Sequence, residues 1–311
     1  MIAMRKTIMR TALAALLVAG NSVAQTCSCA GAPILSSIET GAATPGRWLL
    51  GASYERHAIN DVVDGSDELN NTSDRKRYSN SLLIEASYGL SSRVSLTGLL
   101  ALVRHERSVS SVNGLGEDIE TNGVSSGMLL MKYALLRQSP FSSREITLGL
   151  GAKFPLGSTD VTRRGVLVSE DMQPSSGSLD GILWGYFSQA LGNGNATNLY
   201  LSTSFRYSGD NDRKFDSGDE FISTFGLSHA TGGRFGGSAA VRYRWSGDAR
   251  RDGYGLPNTG GKWLYLVPGV SVGLPSSFSL QVSAQVPLYR SLEGVQFTTS
   301  HSWKLSLYRT I

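Results

Sequence analysis

From Arg47 onward, apolar and polar residues alternate with a period of two, the pattern of strands whose faces meet unlike surroundings. In Arg144 to Leu156, the residues Ile146, Leu148, Leu150, Ala152, Phe154 and Leu156 share one face. Glu145, Thr147, Gly149, Gly151 and Lys153 share the other. Phe235, Ala239, Val241, Tyr243 and Trp245 likewise oppose Arg234, Ser238, Arg242 and Arg244, and Leu280, Val282, Ala284, Val286 and Leu288 oppose Ser279, Gln281, Ser283 and Gln285. Runs 94–103 and 178–190 carry apolar residues on both faces. The period predicts about twelve strands, near 47–57, 78–88, 93–107, 122–137, 144–156, 177–190, 197–208, 219–229, 234–246, 262–273, 277–288 and 297–309. Each has about the length a tilted strand needs to cross a bilayer, roughly 9–11 residues.

The links between these runs alternate in kind. Those after even strands are short and turn-like: 89–92, 138–143, 191–196, 230–233 and 274–276. Those after odd strands are long and polar: 58–77, 108–121, 157–176, 209–218 and 247–261, with a shorter one at 290–296. Outer-membrane barrels keep short turns on the periplasmic rim and long loops outside. In lipid every backbone N–H and C=O needs a partner within the protein, so such strands must close on themselves. The predicted fold is therefore all-β: a transmembrane antiparallel up-and-down β-barrel of about 12 strands, over residues 47–311. Trp48, Tyr88, Tyr133, Trp184, Tyr207, Trp245, Trp263, Tyr289 and Tyr308 fall near strand ends, where interfacial girdles lie, though packing inside the lumen would suit them too.

The N-terminus fits that compartment. Arg5, Lys6 and Arg10 accompany the apolar run Thr11 to Gly20, and Ser22-Val23-Ala24 supplies small residues. Residues 1–24 are expected to be a cleaved secretory signal peptide directing the chain to the Gram-negative cell outer membrane. The run is about half the roughly 20 residues that a spanning helix needs, and no later run reaches that length. Residues 25–46 are expected as an N-terminal periplasmic segment carrying Cys27-Ser28-Cys29; whether it plugs the lumen is open at this stage.

Composition agrees. The chain has 36 Gly, 9 Pro and 17% charged residues, where soluble proteins carry about a quarter. A net charge of +4, scattered along the chain, argues against nucleic acid. The expected partners are outer-membrane lipid and a small-molecule solute.

Strand parity puts Glu55, Glu85, Lys132, Lys153, Arg206, Arg242, Arg244 and Lys304 on the polar, lumen-lining face. On the lipid face near the midplane an Arg or Lys costs about 2–4 kcal/mol, which favours this inward placement. Six of the eight are basic, so a lumen favouring anions or polar neutral solutes is expected. Ion pairs filling a narrow barrel are the competing reading, since about twelve strands lie between filled small barrels and wide porins.

Cys27 and Cys29 form the sharpest local motif. Two thiols this close suit a soft metal such as Cu(I), the one cofactor the sequence suggests. A disulfide between them is awkward, because extended i,i+2 residues lie near the upper limit of about 6.8 Å for bridged Cα atoms. Pairing with a periplasmic metal or redox protein is a further option, and a tail with incidental cysteines is the plain one. His229-Ala230-Thr231 resembles the His-then-hydroxyl arrangement of outer-membrane lipases, but Thr replaces Ser, no Asn follows, and the expected site is a periplasmic turn. An enzyme is not expected. His57, His105 and His301 lack metal-ligand spacing, and the Asp-rich stretches 61–74 and 210–220 read as solvated loops rather than Ca²⁺ sites.

Gln173-Pro174-Ser175-Ser176-Gly177-Ser178-Leu179-Asp180, leading into Gly181-Ile182-Leu183-Trp184-Gly185-Tyr186, resembles a turn-into-strand of the outer-membrane transporters grouped with the phenol-degradation MetA proteins. Leu179 stands where that family often has Trp. Val286-Pro287-Leu288-Tyr289-Arg290, followed by Glu293 to Phe297, resembles the same family's penultimate hairpin. The resemblance covers the C-terminal half and implies a barrel that moves small, including aromatic, molecules. It carries no catalytic residues. The function expected is a channel or passive transporter for small polar, anionic or aromatic solutes. The alternative is a structural or partner-docking barrel whose Cys-x-Cys segment binds a soft metal or a periplasmic redox partner.

Overall fold

The computed structural model describes residues 25–26, 34–71, 74–110, 117–138, 142–192, 196–231 and 233–311. Twelve antiparallel strands close into one barrel: β1 (Trp48–Ala58), β2 (Lys76–Gly89), β3 (Val94–Val109), β4 (Glu117–Leu136), β5 (Arg144–Pro155), β6 (Asp180–Leu191), β7 (Thr197–Tyr207), β8 (Glu220–Ala230), β9 (Phe235–Ser246), β10 (Gly261–Leu274), β11 (Phe278–Leu292) and β12 (His301–Thr310). Each strand pairs with its sequence neighbours, and β12 returns to β1 through pairs from Leu49↔Thr310 to Ala58↔His301. No barrel edge is left open, as a hydrocarbon surround demands.

The period-two pattern matches all twelve barrel strands, with differences at the outer ends. β4 begins at Glu117 because the β3–β4 hairpin stays paired out to Val109↔Glu117. β11 runs on to Leu292. Its link to β12 contains a further strand, Val295–Thr298, which pairs with Asp61–Asp64 of the β1–β2 link. Pairing loop to loop satisfies backbone groups that polarity alone suggested were solvated.

Burial alternates along most of the strands, so the outward face is easily read. Leu148, Leu150, Leu183, Phe225, Val270 and Leu288 are all more than half exposed. In water so continuous an apolar surface would be a liability; in a bilayer it is the required coat. No helix among the described residues is long and apolar enough to cross a membrane, so the strands do the crossing. The barrel is thus an outer-membrane protein. Trp48 packs on Tyr88 at the short-turn rim, with ring centroids 4.7 Å apart, in girdle fashion. Trp184 and Trp263 depart from the girdle reading: both point inward and are almost fully buried.

The N-terminal segment differs most from expectation. Residues 34–46, read from sequence as periplasmic, run inside the barrel. Gln25–Thr26 pairs in parallel with the outer strand Val295–Thr298. Near the periplasmic rim, Gly46 N–H donates to the Gly89 carbonyl at 2.8 Å. Gly89 must be glycine for this approach, since a Cβ there would lie 2.1 Å from the Thr44 carbonyl oxygen. Cys27 and Cys29 lie outside the described residues, as does the expected signal peptide, 1–24.

The outward face generates a direct test. Leu150→Arg, midway along β5, is expected to lower unfolding free energy in lipid vesicles by about 2–4 kcal/mol. Denaturant titration in vesicles measures it; a change below about 0.5 kcal/mol would mean that β5 does not face lipid.

Candidate functional site

The lumen is built from two unlike halves. On β2, β3, β4, β6 and β8 part of the inner wall is apolar: Leu83, Leu99, Ala101, Met128, Leu130, Ile182, Trp184 and Ile222 form one cluster with Ile34, Leu35 and Ile38 of the N-terminal segment. This explains the two-sided apolar runs in β3 and β6: one face meets lipid and the other meets this plug. Burying each of the three plug side chains contributes roughly 1.5–3 kcal/mol.

Polar tethers fix the plug largely through its backbone. Trp184 Nε1 and the Ser202 hydroxyl both donate to the Ile38 carbonyl, each at 3.0 Å. Lys132 Nζ donates to the Thr40 carbonyl at 2.8 Å and lies 4.6 Å from the Trp184 ring centre. Glu145 accepts the Ala42 N–H at 2.9 Å, and Arg137 donates to the Ala43 carbonyl at 2.6 Å. The Ser37 hydroxyl donates to Glu55, and Glu39 pairs with Arg242.

The other half is a cavity of about 400 Å³. Ala196, His229 and Ala230 line its mouth at the short-turn end, so it opens to the periplasm. Asn198, Ser228, Ser238, Ser271, Gln281, Ser283, Gln285, Ser302 and Ser306 line its wall. Glu39, Glu55, His57, Arg242 and Lys304 also border it. These charges are internally matched: Glu55 lies 3.4 Å from Lys304 and 3.3 Å from His57, and Arg242 donates to Gln285 at 2.7 Å.

A second network occupies the outer half of the barrel. Asp180 sits 2.5 Å from Lys153 and 2.9 Å from Arg206, while Glu220 sits 3.6 Å from Arg206 and 2.6 Å from Arg244. The guanidinium of Arg244 lies over Trp263, 4.6 Å from its ring centre. Side chains of Lys153, Asp180, Arg206, Arg244 and Glu220 are all largely buried, where charges persist only when paired.

Each of the eight charges singled out by parity thus has a place. Lys153, Arg206 and Arg244 share the outer network; Glu55, Lys304 and Arg242 border the vestibule; Lys132 holds the plug. Glu85 is buried and accepts from the Ser87 hydroxyl at 3.1 Å. The eight leave out the acids Glu39, Asp180 and Glu220, and also Glu145, which parity places on the polar face of β5 beside Lys153.

The outer end is closed by its own loops. Val63 packs with Trp263, Tyr265 and Leu292, and Trp263 Nε1 donates to Thr298 at 2.9 Å. In the β5–β6 link, Met172 is buried with Ile119 and Val168, and the Thr121 hydroxyl donates to its carbonyl. Gln173 ties that loop to itself through the Val161 and Val168 carbonyls, at 3.1 and 3.0 Å.

The hydroxyl beside His229 belongs to Thr197, 2.8 Å from Nδ1, whereas Thr231 donates its own hydroxyl to the Phe235 carbonyl. The His-then-hydroxyl reading therefore has no geometry behind it. Among the described residues no three His, Cys, Asp or Glu side chains gather as a metal site.

No protein-family model matches the sequence, and no curated protein matches it. Among solved structures, the fold is similar to the COG4313 outer membrane channel from Pseudomonas putida F1, with a TM-score of 0.65, 14% identity, and 87% of this chain and 97% of that one covered. Two others align more loosely. The P. putida toluene transporter TodX has a TM-score of 0.42 at 9% identity, covering 86% of this chain and 91% of that one. The translocator domain of autotransporter NalP from Neisseria meningitidis has a TM-score of 0.44 at 9% identity, covering 86% and 89%.

Breaking the outer network should be costly. Asp180→Asn strands the buried Lys153 and leaves Arg206 with Glu220 alone, and is expected to destabilise the barrel by about 3–5 kcal/mol. Arg251→Gln, which breaks the half-exposed pair with Glu170, should cost no more than about 1 kcal/mol. Equal losses in paired vesicle unfolding curves would contradict the network.

Proposed function

We propose that this barrel is a gated passive channel carrying small polar or aromatic solutes across the outer membrane. The observation that carries this reading is the polar vestibule of about 400 Å³, which enters from the periplasm and stops at a non-covalently held plug. Its size suits a small molecule rather than a folded partner. Its wall of Ser, Asn and Gln, with the bordering charges paired among themselves, would replace part of a solute's water shell without binding it so tightly that transit stalls.

The segment 34–46 is the gate in this reading. Its charged side-chain tether is Glu39 to Arg242, and its other polar tethers run mainly to backbone carbonyls, so it can shift without exposing an unpaired buried charge of its own beyond Glu39. The fold shared with the P. putida channel supports transport in general. The resemblance to phenol-degradation MetA proteins supports aromatic cargo in particular.

Liposome swelling tests the proposal. The full chain should admit sugars, amino acids or phenols of vestibule size faster than protein-free liposomes, and removal of residues 34–44 should raise the rate several-fold. Swelling with no solute in either form would instead favour a structural or docking barrel.

A further inference from the structure

The outer mouth carries a cluster that the vestibule and the plug do not use. Arg77 on β2 and Arg107 on β3 are direct cross-strand partners, and both side chains point inward. Like charges placed opposite each other destabilise a sheet, so this pair needs a reason. His105 lies two residues along on the same face and is fully buried, with neither ring nitrogen hydrogen-bonded. Arg77 is 1% exposed, and its Nε also lacks a partner.

One carboxylate is at hand. Asp171, in the loop between β5 and β6, sits 3.2 Å from Arg77, and its own carbonyl accepts a second Arg77 bond. The neighbouring Glu170 is already held by Arg213 and Arg251, at 2.6 and 2.8 Å. Arg107 meets only a neutral partner there, donating to the Ser169 hydroxyl at 3.0 Å, and no carboxylate among the described residues bridges it. Arg75, just before β2, adds positive charge; burial, reinforced by Arg107, holds its guanidinium down to about 10. Arg107 also lines an outer pocket of about 660 Å³, with Thr121, Val161 and Val168 and the acids Glu106, Asp118 and Glu120, so the cluster is reached from outside through Arg107, with Arg77 and His105 buried behind it.

Buried guanidiniums with donors to spare make a carboxylate site, because the planar fork matches two oxygens at once. We propose that Arg77 and Arg107, with His105 behind them, bind the carboxylate of a small organic acid entering from outside, in competition with Asp171. Asp171 is the loop's own stand-in for that ligand, so the acid that displaces it removes one charged anchor of the β5–β6 loop at the mouth. This deepens the transport reading by naming a substrate class, and it rests on that reading only for its purpose, not for its chemistry.

Calorimetric titration of the full-length protein in detergent with benzoate tests the site, with benzyl alcohol as the uncharged control. Saturable benzoate binding is expected, weakened about tenfold by Arg107→Gln through loss of one charge-assisted bond. Asp171→Asn should bind several-fold more tightly, because the internal competitor is gone. Arg107 is only half-buried, so its variant keeps the test valid if Arg77→Gln fails to fold. Absence of saturable binding in both the native chain and Asp171→Asn, unchanged affinity in Arg107→Gln, or equal binding of benzyl alcohol would each overturn the site. Swelling of the same preparations separates the two ideas. Permeation without benzoate binding leaves the channel and removes the site, whereas binding without permeation of any solute does the reverse.

Discussion

A peptide group in hydrocarbon has no water to turn to, and an unpaired one costs several kcal/mol. Closure of β12 onto β1 follows from that, and so does the distribution of everything else. With lipid outside, polar and charged side chains have only the lumen and the rims to occupy. A twelve-stranded ring is wider than side chains alone readily fill, so its interior needs water, paired charges or another stretch of chain. This barrel uses all three: a vestibule toward the periplasm, an ion network toward the outside, and the segment 34–46 between β2–β6 and the open half.

The electrostatics of that interior follow from pairing more than from net charge. Parity found six bases and two acids, which suggested a positive lumen. Asp180 answers Lys153 and Arg206, Glu220 answers Arg244, Glu39 answers Arg242 and Glu145 lies against the plug, leaving acids and bases matched within the barrel. Excess positive charge sits instead at the outer mouth, where Arg77 and Arg107 lie side by side and, of the two, Asp171 bridges only Arg77.

The strands were legible because period two is a property of neighbouring residues, needing no knowledge of distant contacts. The missed acids fall where that signal is weakest. Asp180 lies in a run with apolar residues on both faces, Glu220 lies at the outer end of β8, and Glu39 belongs to a segment outside the strand pattern; Glu145 was on the polar face, but its partner lies on that same segment. The plug left one trace: Leu99, Ala101, Ile182 and Trp184 put apolar groups on the face that should have been polar. Two-sided apolar strands in a barrel signal something inside to cover them. The inward folding of the loops 59–75 and 156–179 left no such trace, because their anchors are single contacts such as Val63 on Trp263 and Met172 beside Ile119.

Everything in the lumen depends on the N-terminal segment lying inside the barrel against Trp184 and Ser202. The most direct measurement is cross-linking in native outer membranes, using Ile38→Cys with Ser202→Cys in a chain whose Cys27 and Cys29 are replaced by Ser. The Ile38 carbonyl lies 3.0 Å from the Ser202 hydroxyl, so a short thiol-reactive linker should join the two positions within one chain and slow solute permeation. Failure to cross-link, together with ready labelling of the introduced thiol at position 38 by a bulky periplasmic reagent, would place the segment outside the lumen and contradict the account.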